Sequence, residues 1–535
     1  MPDLRRVRAR SSFVTWISSI RRLCQVKLAL LAIVCTFAVA GCLGVRFAPD
    51  PPRNGPTPLS CDVLIVGGGI GGLHTALRLG EKTDFTVCLF EKRARLGGRI
   101  FDVPMNGETG SPSFGLGARR FKEDQKLMVG LAAELGIEFD NPPGSDTLVL
   151  ARGASNYDPA ESSYSNDRLA ADAFSSLTQW DDGPGQPDDI ETKLWDLIRE
   201  YHHVVPAPAF GEWIRSKFGK DVYEFLSSTW GFRGDFQYPV DARSYLDWLA
   251  GNWDLGATLY PKGGMGEFVR RIEERARAAG VEIHTSEPII ELSRSGTGYE
   301  AVTPTYRVSA SSVVIAVGAN ALPKIQGDVV RDLVESKIFK EILPIKVVTI
   351  TQWWPSKWWE GDEFRKVAGN ARVVLSDEGC ITRLEFPADR YSATRAVTRT
   401  VYSDDIECVV YWERLASESM AKVENQISAE LNAILPGVPI PDPALTRVTV
   451  WPAAWYWLSS KASIRNADVA EWAARPLAGE AVSLVGDAYC PQHATWSDAA
   501  VRSSIRTLEL NYGLNFPELE DLGEERSMAC DFLPQ

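Results

Sequence analysis

The sequence predicts an α/β protein whose main parallel sheet is assembled from segments that lie far apart in the chain. Residues 62–66 form a short apolar run, which is followed by closely spaced glycines, a stretch with helical apolar spacing and a second apolar run. Residues 313–317 and 481–485 form two further apolar runs. Near-continuous apolar runs of this length are typical of parallel strands that are buried on both faces. Because long helical and mixed stretches separate the runs, we predict a discontinuous domain with two insertions.

Length and composition indicate a globular protein with room for two or more packed units. The chain has 535 residues, of which 45% are hydrophobic and 24% are charged, as is ordinary for such a protein. The formal net charge of −13 argues against nucleic acid as a partner. The cysteines include no C-x-x-C pair, so we expect no metal site. The cysteines after residue 45 could form disulfides if the protein is exported.

The N-terminal residues 1–45 predict a targeting segment. Residues 1–27 are rich in arginine with a single acid, Asp3, and residues 28–45 are uncharged and mostly apolar. A basic flank before an apolar run is typical of an export signal or a membrane anchor. Val-Ala-Gly-Cys at 39–42 resembles a bacterial lipoprotein cleavage box, the arginine pair at 21–22 could serve twin-arginine export, and an organelle transit peptide is the alternative. We therefore expect a membrane-anchored or exported protein with its folded part outside the cytoplasm, preceded by a Pro-rich linker at 46–60.

Gly67, Gly69 and Gly72 form a G-x-G-x-x-G turn between the first predicted strand and the first predicted helix. In a dinucleotide-binding unit the first glycine permits the tight turn, the second lets the backbone approach a pyrophosphate, and the third lets the helix pack on the strand. The helix N-terminus offers free N–H groups to the phosphates. Glu91 ends the second apolar run about 20 residues downstream, where an acid binds the ribose hydroxyls. Strand, turn, helix, strand and acid in this order predict a dinucleotide cofactor.

Three further motifs extend this unit. They are Leu96-Gly97-Gly98-Arg99, Gly263-Gly264-Met265, and Gly486-Asp487 followed by Trp496-Ser497-Asp498-Ala499-Ala500. Together with the glycine turn they resemble the motifs of the flavin-containing amine oxidase superfamily over nearly all of residues 60–515. The resemblance implies a discontinuous Rossmann-like FAD-binding domain, an α+β substrate domain made of a helical insert and a mixed sheet, and FAD as the cofactor. We expect non-covalent FAD, because Cys490 follows the Gly-Asp pair whereas the attached cysteine of monoamine oxidases precedes it.

The motifs and the apolar patterns divide the chain into predicted segments. The FAD domain is expected at 61–120, 255–330 and 475–515, a helical substrate insert at 121–254, a substrate-domain sheet at 331–474 and a tail at 516–535. Helices are expected at 124–135, 191–202, 210–218, 222–229, 242–253, 266–279 and 498–510, strands at 281–285, 347–353 and 407–412, and a polar loop at 157–187.

The resemblance also assigns residues to the cofactor site. Arg99 would meet the pyrophosphate, Asp487 the ribityl chain, and Trp496 one face of the flavin ring, with core packing as the alternative for Trp496. The expected cofactor-binding residues are Gly67, Gly69, Gly71, Gly72, Glu91, Lys92, Gly98, Arg99, Gly117, Ala118, Arg119, Ile289, Gly486, Asp487, Trp496, Asp498 and Ala499. The candidates for the opposite aromatic wall are Phe386, Tyr456 and Trp457. Two positions depart from the family pattern, Thr495 and Ala499, where relatives tend to have glycine.

Two cations are candidates for the substrate site. Residues 116–120 resemble the L-G-x-x-R segment of L-amino-acid oxidases, which implies that Arg120 binds the substrate carboxylate. A guanidinium matches a carboxylate bidentately, whereas an amine without a carboxylate would leave a buried cation unpaired. The alternative is that Arg119 and Arg120 contact the flavin phosphates or form surface salt bridges. Lys346 opens an apolar strand where the family has a lysine that holds a water against the flavin and assists reoxidation, and a solvent-facing lysine is the alternative.

These expectations predict an FAD-dependent L-amino-acid oxidase with Arg120, Lys346 and Trp496 as its catalytic residues. A hydride would pass from the substrate Cα to flavin N5, dioxygen would reoxidise the flavin to give hydrogen peroxide, and the imine would hydrolyse to a 2-oxo acid and ammonia. The alternatives are an amine or polyamine oxidase, a membrane-associated desaturase or protoporphyrinogen-oxidase-like enzyme, and a flavoprotein without turnover that serves as an interaction module. The expected partners are a small amine or amino acid, dioxygen, and the membrane through the N-terminal segment, and a homodimer is possible.

Overall fold

A computed structural model describes residues 55–104, 113–140, 146–150, 163–165, 206–252, 257–386, 396–460, 462–493, 495, 497–516 and 530. The predicted anchor at 1–45, the polar loop at 157–187 and the helix at 191–202 lie outside the described residues, apart from the short strand at 163–165. Trp496 lies outside them as well. Among the described residues, none of the helices has the length and apolar character needed to cross a membrane.

Strands and helices alternate along most of the described chain. The strands are β1 Thr57–Val66, β2 Val87–Glu91, β3 Asp102–Pro104, β4 Ser113–Gly115, β5 Phe121–Lys122, β6 Phe139–Asp140, β7 Asp146–Leu150, β8 Ser163–Ser165, β9 Thr258–Pro261, β10 Glu282–Thr285, β11 Glu291–Ser295, β12 Gly298–Val302, β13 Tyr306–Ile315, β14 Ile342–Trp354, β15 Val373–Ser376, β16 Arg383–Glu385, β17 Ala396–Ser403, β18 Leu445–Leu458 and β19 Val482–Leu484. The helices are α1 Ile70–Lys82, α2 Lys126–Glu134, α3 Phe210–Phe218, α4 Lys220–Thr229, α5 Gly234–Gln237, α6 Ala242–Asn252, α7 Gly266–Ala278, α8 Asp328–Glu335, α9 Lys337–Lys340, α10 Asp362–Ala368, α11 Ile406–Glu418, α12 Met420–Ile434, α13 Asn466–Ala474 and α14 Ser497–Tyr512.

The first large sheet draws its strands from three distant parts of the chain. Its order is β10-β2-β1-β13-β12-β11, and β19 pairs with the end of β13. The pairs β1–β2, β2–β10 and β13–β19 are parallel, whereas β11, β12 and β13 form an antiparallel meander. The four apolar runs predicted to be buried parallel strands are therefore confirmed as β1, β2, the end of β13, and β19.

Both faces of the parallel part of this sheet are covered, which explains why β2 and the ends of β1 and β13 are almost entirely apolar. Ile65 of β1 and Val314 of β13 belong to a core that also contains side chains from α1, α7 and α14. Their neighbours Leu64 and Ile315 point to the other face, into a core with side chains from α8 and α13. Successive side chains of a strand point to opposite faces, so a strand between two cores has no solvent-facing position for a polar residue.

The second large sheet has the order β18-β14-β17-β16-β15-β7-β8. Its centre is the long antiparallel pairing of β14 with β17 on one side and β18 on the other. Ile345 and Val347 pack on one face of β14 against the helices α3 and α6. Val348 and Ile350 pack on the opposite face against α11 and α12. This sheet therefore also separates two cores.

The prediction of a strand at residues 407–412 is wrong, because these residues lie within helix α11. The side chain of Asp405 caps the helix by accepting a hydrogen bond from the N–H of Cys408 at 2.9 Å. The buried side chains of the helix are Cys408, Val409, Trp412 and Leu415. This spacing is the apolar face of a helix, and over six residues it is easily mistaken for a strand. The predicted helix at 210–218 is confirmed as α3, and that at 266–279 as α7, which ends at Ala278.

All cysteines among the described residues are paired. The disulfides are Cys61–Cys88, Cys380–Cys408 and Cys490–Cys530. The first joins the neighbouring strands β1 and β2, the second joins α11 to the segment between β15 and β16, and the third joins Cys530 to the segment between β19 and α14. The disulfides that the sequence allowed are therefore present in the structure.

Candidate active site

The glycine turn between β1 and α1 has the shape that its sequence predicts. Gly67 has a φ of +108°, and a Cβ there would lie 2.6 Å from the carbonyl oxygen of Ala316. A Cβ on Gly72 would lie 2.2 Å from the carbonyl oxygen of Gly67, so the helix can pack on the strand only with glycine at this position. A Cβ on Gly69 would meet nothing within 4 Å, because Gly69 caps the N-terminus of α1 and faces open space. This space is where a bound pyrophosphate would approach the helix N-terminus.

Glu91, at the end of β2, lies beside this turn. One carboxylate oxygen accepts a hydrogen bond from the N–H of Gly68, and the other accepts one from the N–H of Arg93, both at 2.9 Å. The backbone carbonyl of Glu91 accepts from the N–H of Glu287 at 3.0 Å, which draws the segment leading to the buried Ile289 towards the same strand end. Each carboxylate oxygen can still accept a second hydrogen bond, so a role for Glu91 at a ribose stays a prediction, as does one for the exposed Lys92.

The second glycine pair stacks on the first turn. A Cβ on Gly98 would lie 3.3 Å from the Cα of Gly69, and the N–H of Gly97 donates to the carbonyl oxygen of Gly68 at 2.7 Å. The loop that contains Gly117 lies against the next residue, Arg99. A Cβ on Gly117 would lie 1.8 Å from the carbonyl oxygen of Arg99, so no larger residue fits. Three predicted cofactor segments therefore meet at one place.

Arg99 also reaches the C-terminal part of the site. Its guanidinium donates to both carboxylate oxygens of Asp487, one of them at 2.7 Å, and to the carbonyl oxygen of Ala454 at 2.7 Å. Burial alone would lower the pKa of Arg99, but the Asp487 carboxylate outweighs it and raises this pKa. Both residues were assigned to the cofactor from sequence, and the structure joins them in one bidentate ion pair across 388 positions of the chain. Arg99 keeps 35% of its side chain exposed, so it can still face a ligand.

The remaining predicted residues lie at the N-terminus of α14. The hydroxyl of Ser503 accepts a hydrogen bond from the N–H of Gly486 at 2.8 Å, which fixes the turn before Asp487. A Cβ on Gly71 of α1 would lie 3.1 Å from the carbonyl oxygen of Ala500, so the first turns of α1 and α14 are in close contact. Asp498 and Ala499 are buried there. Thr495 has a φ of +75°, a conformation that favours glycine, which is the residue that the family resemblance leads us to expect at this position.

One of the three candidates for the aromatic wall lies beside the cofactor residues. The Arg99 guanidinium stands 5.5 Å from the ring centroid of Tyr456, whose hydroxyl donates to the side chain of Asn320. Phe386 packs instead among Trp358, Trp359 and Phe364 in the core beneath α11. Trp457 is buried and donates its indole N–H to Asp235 at 2.9 Å. The geometry therefore favours Tyr456 over the other two.

Lys346 is not brought into contact with these residues. Its ammonium group donates to the Glu413 carboxylate of α11 at 2.5 Å, and both side chains are about one third exposed. Lys346 lies an even number of positions from Val348 and Ile350 in β14, so its side chain points to the same face of the sheet, which packs against α11. Within the described part of the chain no contact links Lys346 to Arg99, Asp487 or Arg120. Its role beside the flavin stays a prediction.

Arg120 lies next to a buried carboxylate that sequence reasoning missed. Its guanidinium is half-buried and donates to the hydroxyl of Tyr260 at 3.5 Å. Burial opposes the charge of Arg120, but Tyr260 and Glu385 together raise its pKa. Among the described residues this is its one hydrogen bond, so most of its donor fork is free.

Glu385 of β16 gathers three further arginines. Its carboxylate oxygens lie 2.8 Å from Arg383, 3.3 Å from Arg119 and 3.7 Å from Arg399. Burial alone would raise the pKa of Glu385, but the surrounding guanidinium groups hold it well below its usual range. We call Arg119, Arg120, Arg383 and Arg399 the arginine cluster. Among the described residues it contains one acid for four cations, and its signal in the sequence is the Arg119-Arg120 pair.

The arginine cluster adjoins the cofactor residues. Arg399 donates to the carbonyl oxygens of Gly115 and Gly117 at 3.2 and 3.0 Å. Gly117 in turn lies on Arg99, as described above. The glycine turns, the Arg99–Asp487 pair and the open space at Gly69 fit a dinucleotide, and the cluster next to them carries surplus positive charge.

Such a site on a sheet of this topology is typical of a dinucleotide-binding protein. Residues 70–507 match the family described as flavin containing amine oxidoreductases. The chain belongs to this family, which indicates a flavin cofactor and an oxidoreductase activity. The sequence-based recognition of the family is confirmed.

Curated relatives match parts of the chain. An L-amino acid dehydrogenase from Synechocystis sp. is 23% identical over 271 residues, which are 48% of this chain and 56% of the relative. Achacin from Lissachatina fulica is 38% identical over 115 residues, or 19% of this chain and 20% of that protein. The chain thus spans about half the length of the first relative and a fifth of the second. Among solved structures, wild-type putrescine oxidase bound to putrescine is 17% identical with a TM-score of 0.62 over 84% of this chain and 98% of that one, which shows the fold alone.

Proposed function

We propose that the protein is an FAD-dependent enzyme that oxidises L-amino acids at the α-carbon. The observation that carries this proposal is Arg120, a half-buried guanidinium with a largely free donor fork inside a cluster of surplus positive charge. A substrate carboxylate would pair with that fork, whereas a diamine would add positive charge to the surplus. The relative named L-amino acid dehydrogenase supports the same substrate class.

The residues of this chain would divide the work between cofactor and substrate. When bound without covalent attachment, FAD would supply the two-electron oxidant for the substrate Cα–H bond. Gly69, Arg99 and Asp487 would hold it, and Cys490 cannot attach it because Cys490 is paired with Cys530. Arg120 would hold the substrate carboxylate through two parallel hydrogen bonds and so fix the position of the α-carbon. With dioxygen and water as co-reactants, an L-amino acid gives a 2-oxo acid, ammonia and hydrogen peroxide.

The test separates substrate from electron acceptor. The purified protein with its flavin is mixed without oxygen with L-amino acids, D-amino acids, monoamines and polyamines, and bleaching of the flavin absorbance is recorded. Air is then admitted and hydrogen peroxide is measured. Bleaching by L-amino acids alone supports the proposal, and bleaching by amines alone refutes it. Bleaching without peroxide would keep the substrate class and replace dioxygen by another acceptor.

A variant tests the role of Arg120 directly. Arg120→Ala should raise KM for L-amino acids about 10- to 100-fold, the usual loss for a hydrogen bond to a charged group, while the flavin stays bound. Arg120→Lys should recover only part of the loss, since lysine keeps the charge without the planar fork. Arg331→Ala is the matched control, because Arg331 is an exposed arginine of α8. Unchanged kinetics in Arg120→Ala would remove the carboxylate assignment.

We also propose that the folded part lies outside the cytoplasm. Three disulfides support this location, because disulfides persist in oxidising compartments. The predicted anchor at 28–45 would attach the protein to the membrane. Fractionation of cells with the full chain and with an Arg21/Arg22→Lys variant tests both points, and light scattering of the purified protein tests the predicted homodimer. Recovery of the full chain in the soluble cytoplasmic fraction with free thiols would contradict the location.

A further inference from the structure

The arginine cluster holds more positive charge than a simple amino acid can neutralise. Within the described part of the chain Glu385 is the one carboxylate within 4 Å of these guanidinium groups, and it contacts Arg119, Arg383 and Arg399. Burial and the neighbouring Arg119 lower the pKa of Arg399 to about 10. A substrate with one carboxylate and an uncharged side chain would satisfy one guanidinium. Buried or half-buried cations without partners are unfavourable, so the cluster as built suits a ligand with a second anionic group.

The members of the cluster differ in the donors that they have left. Arg399 is committed to two backbone carbonyls and Glu385, and Arg119 lies against Glu385 and over the ring of Phe114. Both side chains are only 7% exposed. The Arg383 side chain is 12% exposed and donates from its Nε to Glu385, and no residue in the described part of the chain accepts a hydrogen bond from its two terminal nitrogens. Arg120 and Arg383 are therefore the two cations that can still bind a ligand.

Arg120 and Arg383 both lie near the phenol of Tyr402. The phenol of Tyr402 lies close enough to Arg399, Arg383 and Arg120 for each guanidinium to lower its pKa, which burial raises. Arg383 also stands over the ring of Phe232, at 5.1 Å from its centroid, and that ring packs edge-on against Tyr402 at 5.3 Å. Phe232 and Tyr402 are both half-buried. A ligand held by Arg120 would therefore have Tyr402, Phe232 and Arg383 in its surroundings.

We propose that the substrate is an L-amino acid with a carboxylate side chain, whose α-carboxylate binds Arg120 and whose side-chain carboxylate binds Arg383. This proposal rests on the function proposed above. Such a substrate brings two negative charges to the two uncommitted guanidinium groups, and each carboxylate can accept a bidentate pair of hydrogen bonds. A lysine or arginine side chain would meet Arg383 with like charge and is excluded by the same arrangement.

The test compares acids with their uncharged isosteres. For the full chain with its flavin, kcat/KM for L-glutamate or L-aspartate should exceed that for L-glutamine or L-asparagine about 10- to 100-fold, and L-lysine should be the poorest of the panel. Arg383→Met should raise KM for the acids by the same factor and leave the kinetics of the amides within a few fold. Arg383→Lys should retain part of the preference for acids. Arg120→Ala, in contrast, should raise KM for acids and amides alike.

A measurement on the unmodified protein covers the case in which Arg383→Met does not fold. Succinate and glutarate carry two carboxylates and no amine, and butyrate carries one. The dicarboxylates should perturb the flavin spectrum at concentrations at least about 10-fold lower than butyrate. Equal binding of butyrate and the dicarboxylates, or oxidation of neutral L-amino acids in preference to acids, would overturn this proposal while the proposed function stands. Failure of every L-amino acid to bleach the flavin would overturn the proposed function itself.

Discussion

The disulfide Cys490–Cys530 ties the C-terminal end of the chain to the turn that carries Asp487. Both cysteines are fully buried, and 40 positions separate them. If both are replaced by alanine, a loop of that length is freed in the unfolded state, and loop-closure entropy puts the loss of stability at about 4 kcal/mol. Cys380–Cys408 closes a loop of 28 positions between the β15–β16 segment and α11, for which the same relation gives about 3.6 kcal/mol. The two pairs are therefore matched in expected stability and differ in their distance from the cofactor residues.

The double variants Cys490→Ala/Cys530→Ala and Cys380→Ala/Cys408→Ala test this reasoning. Guanidinium unfolding should show a similar loss of stability for both. Flavin release, followed by the fluorescence of free flavin, should be faster only in the first variant, because Cys490 follows Asp487 closely and Asp487 holds Arg99. Equal flavin retention in the two variants would show that the turn holds Asp487 without the disulfide. Unchanged unfolding midpoints in both, with free thiols detected in the parent protein, would refute the pairing.

Three further perturbations address the glycine turn, a buried acid and Lys346. Gly69→Ala should leave the free energy of unfolding almost unchanged and weaken FAD binding at least about 10-fold. Gly72→Ala should fail to fold, because its Cβ would lie 2.2 Å from a carbonyl oxygen. Similar stability and FAD affinity in the two variants would contradict this geometry. Burial raises the pKa of the Asp102 carboxyl group to about 6 from 3.8, so the folded state binds a proton more tightly than the unfolded state, and the free energy of unfolding falls as pH rises from about 4 to 6. Asp102→Asn should remove this pH dependence in urea unfolding of the apoprotein and should stabilise the protein at pH 7 by up to about 3 kcal/mol. A loss of stability at pH 7 would contradict this reasoning. Lys346→Met should change the free energy of unfolding by less than about 1 kcal/mol, since the ion pair with Glu413 is partly exposed. If Lys346 assists reoxidation of the flavin by dioxygen, this variant should slow that step in stopped-flow measurements. A reoxidation rate equal to that of a Glu413→Gln control would contradict a role for Lys346 in reoxidation.

The cofactor side of the site was predictable because its constraints are local. Gly67 and Gly72 are forced by contacts with the backbone of neighbouring strands and turns, and the strand–turn–helix order that needs them is visible within one stretch of sequence. The same holds for the apolar runs of β1 and β13, which are buried between two cores. Local sequence was therefore sufficient to predict the dinucleotide-binding unit and the family.

The substrate side was not predictable in the same way. Glu385 meets Arg119 across 266 positions of the chain, and nothing near either residue signals the contact. The sequence predicts that Lys346 lies on a strand, but it does not predict which face of the sheet the side chain takes. That face depends on a register shift in the pairing of β14 with β18 between Ile345 and Val347. Helix α11 could have been recognised from Asp405, an N-cap residue before an apolar run. Six cysteines allow 15 pairings, so the disulfide partners needed the fold.

Because the cofactor site includes the Arg99–Asp487 ion pair, it can be completed only late in the synthesis of the chain. Most of the chain has left the ribosome before Asp487 emerges, and β19, which completes the first sheet, emerges only just before it. Until then the glycine turn of β1 and α1 can fold locally but has no C-terminal partner. A translocation route that threads an unfolded chain would have to find FAD on the far side of the membrane, whereas a route for folded proteins would carry it across already bound. The C-terminal position of β19 and Asp487 thus means that the cofactor site is complete only when nearly the whole described chain has been made.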